Sequence, residues 1–444
     1  MNADGQMRVM VIGSGAREHA LAYALERDPM VFEVEVAPGS PRMTEYGELH
    51  AVDPLDPAAV AGLAKELDVD LVVIGPEAPL VAGVADAVRE AGIACFGPSA
   101  AAAQIEGSKA FAKEVMAAAG VPTARSRTCH NADEVAAALD EFGAPYVVKD
   151  DGLAAGKGVV VTDDRQAALD HAAGCDTVIV EEYLSGPEVS LFAICDGKTA
   201  VPMQAAQDFK RVGEGDTGPN TGGMGAYTPL PWAPADLAEQ VNEYIIKPVV
   251  EELARRGTPF VGLLYAGLAL TPHGVKVIEF NARFGDPETQ PLLLQLETPL
   301  GQVLYAAATG RLADAPPLKF TPGYAVGVVI AADGYPGEPV LGTRVFEGQF
   351  RSGNIKLFHG GTARDEVGNL IVSGGRVFTV TGKGHTLGFA RNMVYAAASG
   401  FHLDKVFWRK DIAEKAALGQ IPTYEVPEGG LFQVESDASV GAAE

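Results

Sequence analysis

Between residues 8 and 100 the chain alternates short β-rich runs with helical stretches: 8–12, 32–36 and 71–74 read as strands, 18–27 and 57–67 as helices. Strands separated by helices do not pair as hairpins, so the pattern dictates a parallel sheet with crossover connections. That makes the first unit Rossmann-like α/β, and it places any ligand at the carboxyl ends of the strands. The segment Phe96-Gly97-Pro98-Ser99, followed by an Ala run, reads as the exit into a new unit, with a boundary near residue 101.

Beyond it, residues 122–186 carry strand candidates at 146–149, 158–162 and 177–182, a Gly-rich turn and a helix at 165–173. They read as a small α+β unit with a mobile loop. Further strands are expected at 188–195, 263–270 and 275–280, and a third compact α+β unit from strands at 324–331 and 370–380 with a helix at 385–398. After Pro427 the chain is small, acidic and aperiodic, so 426–444 is expected to be disordered. The expected organisation is α/β and α+β multidomain: an N-terminal domain at 1–101, a central domain at 102–322 with the lid at about 122–186, and a C-terminal domain at 323–425. A length of 444 residues and 47% hydrophobic content supply the cores that such a division needs.

Charge and cysteines narrow the function. Against 58 Asp plus Glu stand 34 Lys plus Arg, a formal charge of −24, which argues against nucleic-acid or anionic-membrane partners. Cys95, Cys129, Cys175 and Cys195 form neither a C-x-x-C pair nor a zinc spacing, and a reducing cytoplasm fits them best. The first residues lack the basic region of a signal peptide, and no apolar run reaches membrane-spanning length. The eight His are scattered without H-x-x-H or H-E-x-x-H, so any metal is expected to be a hard cation on oxygen ligands.

Several segments carry chemistry. In Gly13-Ser-Gly15-Ala-Arg17-Glu18 a strand runs through a glycine turn into a helix, where backbone N–H groups can approach an anion. The third Gly of the dinucleotide fingerprint is replaced by Glu18, which opposes a nicotinamide cofactor. The phosphate of a smaller ligand assisted by Arg17, or a plain tight turn, remains. Gly75-Pro-Glu77-Ala-Pro-Leu80 closes the third strand at the ligand edge of the sheet. Lys149-Asp-Asp-Gly152-Leu-Ala-Ala-Gly156-Lys157-Gly158 has the composition of a P-loop without its spacing, and lies between two strands. It reads as a Gly-rich lid over phosphates, with Lys149 on the preceding strand pointing at them.

Val180-Glu181-Glu182-Tyr183-Leu184, followed by Glu188, can offer backbone groups to an adenine edge and a carboxylate to ribose hydroxyls, or be a solvated acidic strand end. On the strand 277–283, period 2 puts Glu279, Asn281 and Arg283 on one face: two oxygen ligands suited to Mg²⁺, then a guanidinium for a carboxylate or phosphate. Residues 208–225 pack bases, acids and six Gly into a loop of 18 residues, a length at which loops are usually functional.

Together these runs resemble the ATP-grasp enzymes, and within them the phosphoribosylamine–glycine ligase family of purine biosynthesis, over residues 8 to about 415. The resemblance is carried by Gly13-x-Gly-x-Arg-Glu-His19, Gly75-Pro-Glu-Ala-Pro-Leu80, Glu106-Gly-Ser-Lys-Ala-Phe111, Asp151-Gly-Leu-Ala-Ala-Gly-Lys-Gly158, Asp216-Thr-Gly-Pro-Asn-Thr-Gly-Gly-Met-Gly-Ala226 and Ile278-Glu-Phe-Asn-Ala-Arg-Phe-Gly-Asp-Pro-Glu-Thr-Gln290. Near the C-terminus His359-Gly-Gly-Thr362, Gly374-Gly-Arg-Val377 and Arg409-Lys-Asp-Ile412 complete it. It implies a pre-ATP-grasp N-terminal domain, a central ATP-grasp fold with a lid, and a two-step ligation. Glycine's carboxylate attacks the γ-phosphate of ATP to give glycyl phosphate and ADP, and the amine of 5-phosphoribosylamine displaces phosphate.

What the resemblance implies for residues is as follows. Lys109, Lys149, Gly156, Lys157, Gly158, Glu181, Glu182, Leu184 and Glu188 would bind ATP, and Glu279 and Asn281 would hold Mg²⁺ or Mn²⁺. Arg283, Lys149 and Asp286 would be catalytic. Gly13, Gly15, Arg17 and Glu77 would meet the phosphoribosylamine end, Gly285, Asp286, Pro287 and Glu288 would shape the acceptor pocket, Arg283 would steady the reacting carboxyl or acyl phosphate, and Asp216 would also bind substrate. The instability of the amine substrate raises a transient contact with the enzyme that makes it. The chain departs from the family pattern in a short 172–176 loop, in Asp150 where Ala is usual, in Ser40 where Asn or another polar residue is usual, and in Phe209 where His is frequent. Rival readings are another ATP-grasp ligase or carboxylase of purine metabolism, a nicotinamide-dependent oxidoreductase, and a catalytically dead nucleotide-binding regulator.

Overall fold

The computed structural model describes residues 1–153, 158–345, 353–401 and 403–432. The first sheet has the order β3 (Glu48–Leu49), β2 (Val31–Pro38), β1 (Met7–Gly13), β4 (Leu71–Ile74), β5 (Ala94–Phe96), and every pair in it is parallel. Helix Ala16–Glu26 follows β1, and helix Pro57–Glu66 is started by Asp56, whose side chain accepts from the N–H groups of Ala58 and Ala59. Because β1 lies between β2 and β4, the chain turns to opposite sides at its carboxyl end, and a crevice opens beyond Gly13 and Gly75.

A second unit is an antiparallel sheet of order β6 (Ser126–Cys129), β9 (Val178–Glu181), β7 (Tyr146–Asp150), β8 (Val159–Thr162). Helices Ala132–Phe142 and Arg165–Ala172 back it, and its own small core holds Cys129, Leu139, Val148, Ala168 and Val180. Strand β6 and the first of these helices were absent from the sequence reading. Gly156 and Lys157, expected in the lid, lie outside the described residues.

The central antiparallel sheet runs β11 (Ala200–Pro202), β10 (Glu188–Asp196), β16 (Val261–Thr271), β17 (Gly274–Asn281). A further sheet has the path β12 (Gln207–Asp208), β15 (Gly225–Thr228), β18 (Tyr324–Ala332), β22 (Arg376–Gly384), β19 (Ile355–His359), with β23 (Val406–Phe407) beside β18. Residues 207–228, inside the span expected for the central domain, thus pair with the C-terminal sheet. Between β12 and β15 the long charged loop folds back as a hairpin of β13 (Arg211–Gly213) and β14 (Thr217–Asn220). The strand expected over 370–380 is two: β21 (Leu370–Val372), paired with β20 (Thr362–Arg364), and β22, with Gly374 and Gly375 at the break.

Residues 426–432 do not form the free tail expected of them. Leu431 is buried, its carbonyl accepts from Val275 N–H at 2.9 Å, and Phe432 stacks on Tyr244 at 5.1 Å. One apolar contact and one ladder-like hydrogen bond suffice to pin a segment whose composition alone reads as disordered; 433–444 lie outside the described residues. Among the described residues no helix is long and apolar enough to cross a membrane.

Candidate active site

At the mouth of the first sheet, Glu18 is 2% exposed and turns back under the loop that precedes it. Its Oε2 accepts from Gly15 N–H at 2.7 Å, and its other oxygen is paired with Arg17. A Cβ on Gly13, whose φ is +128°, would lie 2.6 Å from Glu18 Cγ, and one on Gly75 would lie 2.1 Å from Glu18 Oε1. Glycine is therefore required at both turns because the Glu18 carboxylate fills the floor between them. A dinucleotide pyrophosphate would meet that anion, which removes the nicotinamide reading on physical grounds.

Above this mouth opens a cavity of about 990 Å³ between the lid sheet, β17 and the hairpin β13–β14. Lys149, on β7, is 3% exposed; its Nζ lies 2.8 Å from Glu181 Oε2 and donates to Ile278 O at 3.0 Å. The other oxygen of Glu181 takes Lys113 Nζ at 2.9 Å. Burial alone would raise the Glu181 carboxyl, but the two ammoniums outweigh it and hold it low, while burial pushes Lys113 down despite Glu181. Glu181, expected to line the adenosine pocket, lines the cavity, and its carboxylate clamps two lysines. Lys113 escaped the sequence reading, although it sits one helical turn after Lys109 on helix Lys109–Ala118.

Lys109 Nζ donates to Gly152 O at 2.9 Å, and Asp151 accepts from the N–H groups of Lys109 and Ala110 at 2.6 and 3.2 Å. The lid loop is thereby tied to a helix N-terminus, whose partial positive charge suits the Asp151 carboxylate. Gly158, Glu182, Leu184 and Glu188 also line the cavity. Glu182 is engaged by Arg125 and Lys276, and Glu188 by Lys210 at 2.8 Å, which holds the Glu188 carboxyl below its usual range.

On the opposite wall Glu279 and Asn281 of β17 line the cavity together with Arg283, which stands in the bend after the strand, since the strand expected over 277–283 ends at Asn281. Arg283 is gripped by Glu77 at 3.1 Å and Glu106 at 2.9 Å, and reaches Asn281 Oδ1 at 3.4 Å. Burial pushes Glu77 up, but Arg283 and Arg17 outweigh it and hold it at about 2; for Glu106 burial wins, and its carboxyl is raised. Among the described residues the Glu279 carboxylate makes no hydrogen bond or ion pair, so one anionic and one neutral oxygen donor stand on this wall in a set that suits a hard cation.

The expected acceptor-pocket residues separate. Glu288 is buried, accepting from Tyr265 Oη at 2.7 Å, and burial raises its carboxyl. Gly285 and Pro287 line neither cavity; a Cβ on Gly285 would lie 2.5 Å from Glu288 Oε2. Asp216 lines the large cavity but is held by Arg409 at 2.8 Å, and Arg409, itself 1% exposed, also grips Asp411. That clamp fastens the hairpin to the C-terminal segment. Arg17 and Glu77 line the large cavity beside Arg283, with Arg17 Nη1 donating to Phe284 O at 3.1 Å.

A second cavity of about 520 Å³ lies at the N-terminus of helix Ala16–Glu26. Ser14, Gly15, Ser40, Thr362, Ser373 and Arg376 contribute to its wall, so it is built by the first sheet's loops and the C-terminal unit together. Among its described lining, Asp286 and Arg376 are shared with the large cavity, and Gly13 lines neither.

Three family models match the chain: phosphoribosylglycinamide synthetase N domain over residues 7–106, its ATP-grasp (A) domain over 107–289 and its C domain over 325–415. The phosphoribosylamine–glycine ligase of Streptomyces coelicolor is 59% identical over 416 residues, covering 93% of this chain and 100% of that one. That of Mycobacterium tuberculosis is 55% identical over 424 residues, covering 94% and 100%. Among solved structures, phosphoribosylamine–glycine ligase from Thermotoga maritima superposes with a TM-score of 0.80 at 30% identity, covering 91% of this chain and 100% of that one. The biotin carboxylase domain of the Hydrogenobacter thermophilus 2-oxoglutarate carboxylase, at 17% identity and a TM-score of 0.70 over 90% and 92% of the chains, shares the fold.

Proposed function

The chain belongs to the phosphoribosylglycinamide synthetase family, and from that premise we propose how its two cavities carry out the family's reaction, the ATP-dependent joining of glycine to 5-phosphoribosylamine. It is an ATP-grasp ligase of purine biosynthesis. The observation that carries the reading is the pair of cavities meeting at Asp286 and Arg376: the larger has room for a nucleotide and glycine, the smaller for a phosphosugar, and the shared wall is where the bond forms.

In the large cavity Lys149, Lys113 and Lys109 supply positive charge to the triphosphate. A carboxylate attacking a phosphate must overcome charge repulsion, and fixed cations in a low-dielectric site reduce it without reorganising during the reaction. Glu279 and Asn281 would hold Mg²⁺, which when bound neutralises phosphate charge. Arg283, fixed by Glu77 and Glu106, steadies glycine's carboxylate and then the acyl phosphate. The lid sheet supports exclusion of water, since glycyl phosphate hydrolyses if wet. Glu182, Leu184 and Glu188 support the adenosine end, Glu188 exchanging Lys210 for ribose hydroxyls.

The smaller cavity takes the phosphoribosyl end, its phosphate at the start of helix Ala16–Glu26 with Ser14, Ala16, Ser40 and Thr362 around it, while the Gly15 N–H stays with Glu18. This moves the phosphoribosyl contacts from Arg17 and Glu77 to the loops that meet the C-terminal unit. Four free cysteines, three of them buried, support a cytoplasmic location. The intermediate is tested by incubating the protein with Mg-ATP, glycine and hydroxylamine in the absence of the phosphosugar. Glycyl hydroxamate formed in step with ADP supports glycyl phosphate; ADP without hydroxamate overturns it.

A further inference from the structure

We propose that Asp286 is the proton acceptor of the ligation step, taking the proton that the substrate amine sheds as the C–N bond forms. The proposal rests on the ligase reading above and assigns a reacting group within it. The step balances as follows. The amine nitrogen's lone pair forms the bond to the acyl carbon, the bond from that carbon to the phosphate oxygen breaks, and phosphate leaves with the electron pair. The surplus proton on nitrogen passes to the Asp286 carboxylate and from there to solvent.

Position singles this residue out. Asp286 and Arg376 are the described residues lining both cavities, and a guanidinium stays protonated and cannot accept. Asp286 is also the one acid on the described lining of the smaller cavity. Its Oδ1 is fixed from two sides, by Gln290 Nε2 at 2.9 Å and Arg376 Nη1 at 3.4 Å. Its Oδ2 has no hydrogen-bond partner among the described residues and stands 3.8 Å from the place of a Cβ on Gly15, where the glycine leaves room. One oxygen is anchored and the other is open, as a general base requires.

Of the other acids along the large cavity, Glu279 makes no hydrogen bond or ion pair among the described residues but is assigned to the metal, and others are engaged. Glu77 and Glu106 hold Arg283, Glu181 holds two lysines, Asp216 and Asp411 hold Arg409, and Glu288 is buried against Tyr265. Side-chain exposure of Asp286 is 12%, enough to meet a ligand and too little for bulk water to replace it.

The test separates the two steps in Asp286→Asn, whose amide oxygen can still accept from Gln290 and Arg376. Rapid-quench assays follow glycyl hydroxamate formation with hydroxylamine, then transfer to 5-phosphoribosylamine. We expect hydroxamate formation to stay within a few-fold of the unaltered protein and transfer to fall about 10²–10⁴-fold, the range of a lost general base. Asp286→Glu should recover part of the transfer rate. Both steps falling together in both variants would overturn the proposal, as would a raised KM for the amine substrate with an undiminished transfer rate. Should the unaltered protein release no ADP that depends on both glycine and 5-phosphoribosylamine, the ligase reading itself fails, which is read before either variant is made.

Discussion

Glu181→Gln removes one negative charge from a site where two ammoniums depend on it. Glu181 and Lys149 are each 3% exposed, and Glu181 lies 2.8 Å from Lys149 and 2.9 Å from Lys113. At an effective dielectric of about 20, each contact is worth roughly 6 kcal/mol of Coulomb attraction, which in the intact site offsets desolvation of several kcal/mol per ion. Removing the anion leaves the desolvation uncompensated, although Lys113, already pushed down by burial, can shed its proton and so limit the loss. The expected net cost is about 3–5 kcal/mol, the range for breaking one side of a buried pair. Hydrogen exchange should localise it to β7 and β9, with a weakened affinity for ATP by calorimetry because Lys149 is no longer held. Adding Lys113→Met should restore part of the stability, since one uncompensated ammonium disappears. A loss under about 1 kcal/mol with unaltered ATP affinity would refute the clamp.

Four further outcomes follow from the same geometry. Glu279→Ala should abolish turnover while leaving the melting curve of the nucleotide-free protein unchanged, because its carboxylate makes no hydrogen bond or ion pair among the described residues; activity at ordinary Mg²⁺ would sink the metal assignment. Gly75→Ala should destabilise by about 1–3 kcal/mol in urea unfolding, since the new Cβ would fall 2.1 Å from Glu18 Oε1, and a neutral result would remove Glu18 from the floor of the crevice. Arg17→Ala should strand the buried Glu18 carboxylate and cost about 3 kcal/mol, read by denaturant titration, and a cost below about 1 kcal/mol would contradict the pairing. Glu77 is held at about 2 against an ordinary 4.5, so its contribution is full above pH 4.5 and lost as pH falls toward 2. The stability gap between Glu77→Gln and the unaltered protein, at most about 3 kcal/mol, should close over that window, and a gap constant across it would refute the ion pair.

The parallel first sheet was legible because apolar strand runs and helical runs alternate within one hundred residues, and the pairing of Glu279 with Asn281 because period 2 puts both on one face, whereas Arg283 follows the end of the strand and reaches the same wall from a bend. Strand β6, Ser126-Arg127-Thr128-Cys129, was not: it is short, half exposed and without apolar alternation. Nor was the pairing of Gly225 with Val328 across about a hundred residues, since a strand's pattern gives its faces and not its partner. In the site, Val180-Glu181-Glu182 announces acids but not which one turns inward; that depends on Lys113 and Lys149 arriving from a helix and another strand. The smaller cavity was half visible, in the glycines before helix Ala16–Glu26, while its other wall at Gly360–Thr362 comes from a distant part of the chain.

The central claim, that glycine is activated by ATP and then passed to a phosphosugar amine, is tested most directly by measuring ADP release with Mg-ATP, glycine and 5-phosphoribosylamine generated in place, omitting one component at a time. The account predicts sustained release only with all three present, matched by a glycyl amide product. ADP release that is indifferent to glycine would contradict it.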